Sequence, residues 1–379
     1  MKPLKLGMVG GGQGAFIGGV HRIASRIDGQ WQLVAGALSS DPDRAKASAA
    51  ELNIAEDRAY TSFEEMAQAE AAREDGIDAV AIVTPNHMHA APAIAFLRAG
   101  IHVICDKPLA ATREQAEAIA EAVKDTGKLF ILTHNYTGYP LIRQAREMVA
   151  NGDLGEIRVV QVEYVQDWLS EAPAPDNKQA DWRTDPARSG AGGCIGDIGT
   201  HAFNLASFVT GLKTREVAAD LDAFVPGRQV DDNVHVMLRY HGGAKGMLWA
   251  SQVAVGNENA LTLRVHGTKG GLVWAQENPN VMTFTKLGEP KQILTRSGAG
   301  ASGAANRVSR TPGGHPEGYL EGFATIYNEA AALVRHAQDG TPLPDGLHVP
   351  DIEDGLDGMR FIGSCIESSK ANGVWTPFA

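Results

Sequence analysis

Three groups of residues in this chain have the types and spacing to do chemistry. The first is Asp106-Lys107-Pro108, at the end of the short apolar run Ile101-His102-Val103-Ile104-Cys105. That run reads as a buried parallel strand. Open parallel sheets bind ligands beyond the carboxyl ends of their strands, so Lys107 is expected at a ligand rim, with Pro108 stiffening the chain beside it. An ammonium there would donate to a developing alkoxide, or act as a base once desolvated. A solvated surface lysine is the plain alternative. The second group is Asp197 and His201, four residues apart ahead of an apolar helix. That spacing puts both on one helix face. A carboxylate beside an imidazole orients the ring and supports its charged form, which suits a general base near neutral pH. A capping Asp with a core His is the competing reading. The third group is Gly10-Gly11-Gly12-Gln13-Gly14-Ala15. Gly10-x-Gly12-x-x-Ala15 has the spacing of a dinucleotide turn, with Gln13 and Gly14 completing it. Gly10 permits the tight turn, Gly12 the approach of a pyrophosphate, and Ala15 close packing of helix on strand. The helix N-terminus then offers unpaired N–H groups to phosphates.

The elements that must position these groups follow from pattern. Residues 4–9 form a strand, the glycine turn leads into a helix to about Ile27, and a second strand runs from Trp31 to Leu38. Dinucleotide sites that select NAD usually place an acid at the end of the second strand. Ser39 and Ser40 stand there instead. Asp41 either reaches a ribose or caps the helix that begins at Pro42. Arg44, one turn on, faces an adenine or a 2′-phosphate, or lies on a solvated face. A weaker strand–helix pair is expected near 58–68. Residues 78–83 form a strand ending in Thr84-Pro85-Asn86, followed by a helix over 89–99. Asn86 is a candidate for the nicotinamide ribose, or an ordinary turn asparagine. His87 and His89, without a third ligand nearby, make no metal site. Thr112 and Gln115 form a capping box for a helix to about 125. A sixth strand, 129–133, closes a doubly wound domain at residue 134.

From residue 135 to 379 a second, α+β domain is expected. Asn135 and Tyr136 emerge at the rim as candidate substrate contacts, and a helix over 140–150 stops at Asn151-Gly152. Residues 157–165 alternate as a strand. The polar stretch 167–193 carries Trp168, Trp182 and Arg183 as candidate substrate contacts; its aromatics either stack on a sugar face or cover the core. Short alternating runs from 215 to 293 predict a mostly antiparallel open sheet with one face buried. Its other face needs a cover, and a partner subunit is a natural one. Residues 295–314 read as a mobile loop. His315 stands at the entry of a long helix to about 338, where it would touch a ligand or lie on the surface. A last helix spans about 352–371.

The 379 residues carry a formal charge of −11, which argues against general affinity for nucleic acid or anionic membrane. No apolar run spans a bilayer. Met1-Lys2-Pro3-Leu4 runs straight into a strand, so no signal peptide is expected. The three cysteines show neither metal spacing nor a disulfide framework, and a cytoplasmic protein is expected.

In combination, the glycine turn, Thr84-Pro85-Asn86 with His89, the block around Lys107, and Gly192-Gly193 followed by Asp197 and His201 resemble the Gfo/Idh/MocA oxidoreductases. Most members have Glu-Lys-Pro where this chain has Asp106-Lys107-Pro108, and a further Asp where it has Asn204. The resemblance implies a Rossmann domain followed by a domain with an open sheet, assembled as dimers or tetramers through the sheets. It implies oxidation of a secondary alcohol on a sugar or cyclitol, with NAD or NADP as cofactor. Lys107, Asp197 and His201 are then the residues around the reacting carbinol, and Asp106 supports the lysine. An alternative within the family is redox-neutral cleavage of a glycoside. Arg183 and Arg188 would favour it by binding an anionic sugar.

Overall fold

A computed structural model describes residues 2–172, 174 and 177–378. The chain divides into two compact units. The first is Met1–Asn135 with Tyr319–Leu356, and the second is Tyr136–Gly318 with Asp357–Ala379.

The first unit is a parallel sheet with crossover helices. Strand β1 (Leu4–Gly10) leads to α1 (Phe16–Ile27), β2 (Trp31–Ala37), α2 (Pro42–Glu51), α3 (Phe63–Ala72), β3 (Ala79–Val83), α4 (Ala90–Arg98), β4 (His102–Cys105), α5 (Arg113–Thr126) and β5 (Phe130–Leu132). The order is β2-β1-β3-β4-β5. The direction of winding reverses between β1 and β3, where Gly10 pairs with Val83. Such a switch point is where open α/β sheets bind ligands. Cys105 pairs with Ile82 on one side and Leu132 on the other. The glycine turn, Thr84, Asp106 and Thr133 therefore leave one edge of the sheet together. Thr112 caps α5 as predicted, its Oγ1 accepting from Gln115 N, while Gln115 Oε1 reaches back to Ala111 N, one residue before the cap.

Two expectations are corrected here. There is no strand near Arg58, so the sheet has five strands. A single bridge, Gly36 to Ala59, follows a 3₁₀ turn over Glu56–Arg58. Buried side chains hold this segment, because Arg58 and Tyr60 both donate to Glu70. The second correction concerns the long helix Tyr319–Asp339, which belongs to the first unit. Phe323, Tyr327, Ala330, Ala331 and Val334 form one apolar stripe, and they pack with Val20 and Ala24 of α1 and with Leu6 and Met8 of β1.

His102 makes the stability of this unit pH-dependent. Its Nδ1 accepts from Leu129 N at 3.0 Å, so the ring must be neutral. Burial, with Lys128 nearby, pushes its pKa down to about 4. The unfolded chain takes up this proton near pH 6.5, whereas the folded chain does not until about 4. Stability is therefore lost as pH falls through that window. His102→Asn keeps an acceptor for Leu129 and removes the proton. Thermal melts from pH 7 to pH 4 should show a shallower acid decline for the variant than for the parent.

The second unit is built on a nine-stranded sheet. Helix α6 (Pro140–Ala150) precedes β6 (Ile157–Val165). Two short helices follow, α7 (Lys178–Arg183) and α8 (Pro186–Ser189), then α9 (Thr200–Thr210). Strands β7 (Thr214–Asp222), β8 (Asn233–Tyr240), β9 (Lys245–Ser251), β10 (Ala260–Gly267), β11 (Gly270–Ala275), β12 (Val281–Lys286) and β13 (Gln292–Thr295) complete it with Thr376–Pro377. The order is β13-β12-β11-β10-β6-β9-β8-β7 and then the terminal strand. Pairing is antiparallel except between β6 and β9. Val160, Val162, Leu248, Leu261, Leu263 and Leu272 form one face, and α6 and α9 cover it with Leu141, Ile142, Phe203 and Leu205. The opposite face exposes Val159, Met237 and Met247. Residues 295–314 are tethered, against the expectation of a mobile loop. Arg296 is buried and donates to Asn280, Thr311 and Glu317, and Gln144 bonds Gly300. Among the described residues no helix is long and apolar enough to cross a membrane.

Candidate functional site

In the first unit the glycine turn fits a dinucleotide. Gly10 takes φ +79°, in the left-handed region. A Cβ on Gly12 would stand 2.7 Å from Leu38 O and from Ser48 Oγ, so only glycine lets the turn lie against β2 and α2. Gln13 N donates to Ser48 Oγ. Ala15 caps α1 without a side-chain bond, and no acidic residue stands in the first turn. That helix end is left suited to an anion. Ser40 and Arg44 are exposed, and Asp41 is the cap of α2, accepting from Arg44 N at 2.8 Å. Ser39 Oγ accepts from Asp41 N. The acid nearest the end of β2 is thus committed to its helix.

Thr84 Oγ1 donates to Met88 O and braces the turn that carries buried Asn86. His89, fully buried, spans two carbonyls: Nδ1 lies 2.8 Å from Pro108 O and Nε2 2.9 Å from Thr84 O. Burial holds its pKa below the ordinary value. His89 thus ties the β3 turn to the Lys107–Pro108 turn. Asp106 Oδ1 accepts from Thr133 Oγ1 at 2.7 Å and lies 3.8 Å from His21 Nε2. Burial opposes its ionisation, but His21, Thr133 and Lys107 together hold the carboxyl well below the usual carboxylate range. His134 is pushed down to about 3 by burial and by the charge of Lys107. Asn135 is buried, and its side-chain nitrogen has no hydrogen-bond partner.

In the second unit Asp197 and His201 do not sit on a plain α-helix. Residues Ile195–Gly199 form a π-helical turn that runs into α9. Such turns recur at functional sites. Asp231 builds it: Gly193 N donates to its Oδ1 at 2.8 Å and Ile195 N to its Oδ2 at 2.7 Å. A Cβ on Gly193 would lie 2.3 Å from Asp231 O, which accounts for the glycine. Burial pushes Asp231 up to about 6, although those N–H groups favour its anion. Asp197 Oδ2 accepts from Arg183 Nε at 3.1 Å and from Gln252 Nε2 at 2.9 Å. A charge-assisted pair of this kind fixes the carboxylate and favours its ionised form.

His201 is buried, and its ring meets Tyr136 edge-on at 4.9 Å and Tyr164 at 6.1 Å. Tyr136 Oη lies 2.6 Å from Tyr164 Oη, and Tyr164 donates to Asn259 Oδ1 at 2.8 Å. With Tyr164's proton so used, Tyr136 is the donor to Tyr164. Burial pushes the Tyr136 hydroxyl up to about 12, so it stays protonated at neutral pH. Gln166 also donates to Asn259, and Trp168 donates to Gln166. Asn259 borders a polar cleft of about 960 Å³ that Asn257, Gln276, Asn280 and Glu317 also line.

Arg183 is held by partners within the second unit. Its guanidinium lies 4.2 Å from the Trp182 ring and 5.9 Å from that of Trp168, and it grips Asp197. Arg188 pairs with Asp181 and Asp185. Both arginines are thus engaged within the protein, which removes the observation that favoured an anionic glycoside. Trp168 keeps 39% of its surface exposed. His315 is exposed, and its carbonyl accepts from Arg296. Among the described residues no cluster could hold a metal. Sequence reasoning missed Gln252, Tyr164, Asn259, Asp231 and His21. Tyr164 alone had a signal, as an inward-facing polar tip in the alternation of β6.

Residues 4–145 match the family model described as an oxidoreductase family with an NAD-binding Rossmann fold, and residues 142–273 match the GFO/IDH/MocA C-terminal domain. The chain belongs to the Gfo/Idh/MocA oxidoreductase family. Its first unit is the NAD-binding domain of that family. A solved Sinorhizobium meliloti oxidoreductase is 55% identical, covers 99% of both chains and superposes with a TM-score of 0.91. An inositol dehydrogenase homolog from Azotobacter vinelandii, solved with NADH and myo-inositol, is 35% identical over 99% of this chain and 98% of its own, with a TM-score of 0.93. The levoglucosan dehydrogenase of Pseudarthrobacter phenanthrenivorans is 31% identical over 99% of this chain and 98% of its own. The Gfo/Idh/MocA chain described here is thus an oxidoreductase of the group that includes sugar and cyclitol dehydrogenases.

Proposed function

We propose that this chain oxidises a secondary hydroxyl of a cyclitol or sugar with NAD as hydride acceptor, and that Lys107, Asp197 and His201 carry the chemistry. The observation that carries this reading is Asp197, fixed by Arg183 and Gln252, four residues before a buried His201. Bound nicotinamide supplies the hydride acceptor. His201 takes the proton of the substrate hydroxyl through its imidazole. The Lys107 ammonium donates to the oxygen as negative charge develops on it. Asp197 stabilises the charge that His201 gains. The polar cleft beside Asn259 suits the remaining hydroxyls of a polyol, and the exposed part of Trp168 suits an apolar sugar face. The Azotobacter homolog, solved with myo-inositol, and the levoglucosan dehydrogenase support this substrate class. A panel of inositols, hexoses and glycosides with NAD and with NADP tests it. Reduced nicotinamide should accumulate one-for-one with oxidised polyol. Aglycone release without reduced nicotinamide would refute the reading.

Arg183→Ala removes the grip on Asp197. A hydrogen bond to a charged group is typically worth about 1.5–3 kcal/mol, so kcat/KM should fall roughly 10–100-fold in steady-state assays, with NAD affinity unchanged.

We also propose that the uncovered sheet face seats a second copy of the chain. Met237 and Met247 are each more than half exposed on it, beside a trough of about 360 Å³ that His235 and Trp249 help line. Exposed apolar side chains beside such a trough suit an association surface. Met247→Arg should halve the mass measured by sedimentation. An unchanged mass would remove this face from assembly. Three buried free cysteines, Cys105, Cys194 and Cys365, suit the cytoplasm, where we place the protein.

A further inference from the structure

Behind the Lys107 turn lies a buried polar chain that takes no direct part in the proposed reaction. His21, on α1, has no exposed surface. Its Nδ1 lies 2.8 Å from the hydroxyl of Tyr327, on the helix Tyr319–Asp339. Its Nε2 is buried without a hydrogen-bond partner, and Asp106 Oδ1 lies 3.8 Å away. Thr133 Oγ1, from the end of β5, donates to that same oxygen. Phe323 packs on the ring at 5.0 Å, and the Tyr327 ring meets it edge-on at 5.7 Å, so the imidazole cannot swing away.

The order of donors follows from chemistry. Nε2 faces the Asp106 carboxylate, which can only accept, so the N–H of a neutral ring belongs on Nε2. Nδ1 is then the acceptor, and the Tyr327 hydroxyl donates to it. A buried N–H with no acceptor is costly, and the carboxylate is one small shift from satisfying it. The groups around this carboxylate are Lys107 next in sequence, His89 on the Pro108 carbonyl, and His134 beyond Thr133.

We infer that His21 and Tyr327 are positioning residues for the Asp106-Lys107 turn, fixing the tautomer and direction of a hydrogen bond from His21 to the Asp106 carboxylate and so the place of the Lys107 ammonium. This rests on the assignment of Lys107 to the reaction. The helix Tyr319–Asp339 acquires a role by it. By packing into the first unit, that helix delivers the hydroxyl that sets the tautomer.

The test is a double-mutant cycle of Tyr327→Phe with Lys107→Ala, with His21→Gln and Thr133→Val as companions. Tyr327→Phe removes one oxygen and keeps the ring packing, so it remains informative if His21→Gln fails to fold. In the parent background Tyr327→Phe should lower kcat about 10–100-fold, the size of effect a misplaced reacting group produces. KM and NAD affinity should not move. In the Lys107→Ala background it should cost nothing further, because both changes act on one element. Imidazole ¹⁵N shifts should show the Nε2–H tautomer of His21 in the parent and its loss in Tyr327→Phe. Wild-type kcat in Tyr327→Phe, or an equal loss in both backgrounds, overturns the inference. Wild-type turnover in Lys107→Ala alone overturns the assignment of Lys107 itself, a separate and distinguishable failure.

Discussion

His201→Ala should lower kcat by about 10²–10⁴-fold, the usual contribution of a positioned general base, while NAD still binds. The prediction follows from the environment of the ring. His201 is buried against Tyr136 and Tyr164, and Asp231 builds the π-helical turn ahead of it. Tyr136 donates to Tyr164 and is pushed up to about 12, so it does not substitute as a base near neutral pH. Asp197 already accepts from Arg183 and Gln252, so it is fixed in place and not free to take over as the base. An interaction made only in the transition state lowers kcat and kcat/KM together when removed. The same proportional loss in both is therefore expected from steady-state rates. NAD affinity, read by titration of the free enzyme, should match the parent. His201→Asn fills similar space without a titratable nitrogen and should behave as the alanine variant does. If either variant turns over at the parental rate, the proton is taken elsewhere.

Lys107→Ala has the second large expected effect. Removing a preorganised donor to a developing oxyanion typically costs about 10²–10³-fold in kcat. The ammonium stands next to Asp106, whose carboxyl is held well below the usual range, and its charge contributes to pushing His134 down to about 3. Its charge acts on both groups, after the larger effects of His21 on Asp106 and of burial on His134. Lys107→Arg keeps the charge but changes shape from a compact donor to a planar fork. It should recover only part of the loss. Full recovery by arginine would mean that charge alone, and not the placement of one donor, is what the reaction uses.

Much of this was legible in the sequence wherever local chemistry is short-ranged. The glycine turn, the capping box at Thr112, and the delivery of Lys107 from the end of β4 each depend on a few neighbouring residues. The parallel order of the first sheet and the alternation of the second follow from period alone. What was not legible depends on pairings across long separations. The helix Tyr319–Asp339 carries an apolar stripe, but nothing local says that the stripe packs against α1. The π-helical turn depends on Asp231, more than thirty residues downstream of Gly193. Arg183 looked like a ligand contact because its partner, Asp197, lies across an irregular stretch. His21 looked like one more residue of an amphipathic helix until Tyr327 and Asp106 were seen around it. In each case the type of residue was informative and the identity of its partner was not.

The most direct measurement of the central claim is transfer of deuterium from a polyol labelled at the carbinol carbon, run with each active member of the panel. A primary isotope effect on kcat/KM is expected when chemistry limits the rate, with deuterium recovered on the reduced nicotinamide in one-to-one ratio with oxidised product. Deuterium appearing in solvent, or returned to the same carbon with no net reduction of NAD, would contradict that claim.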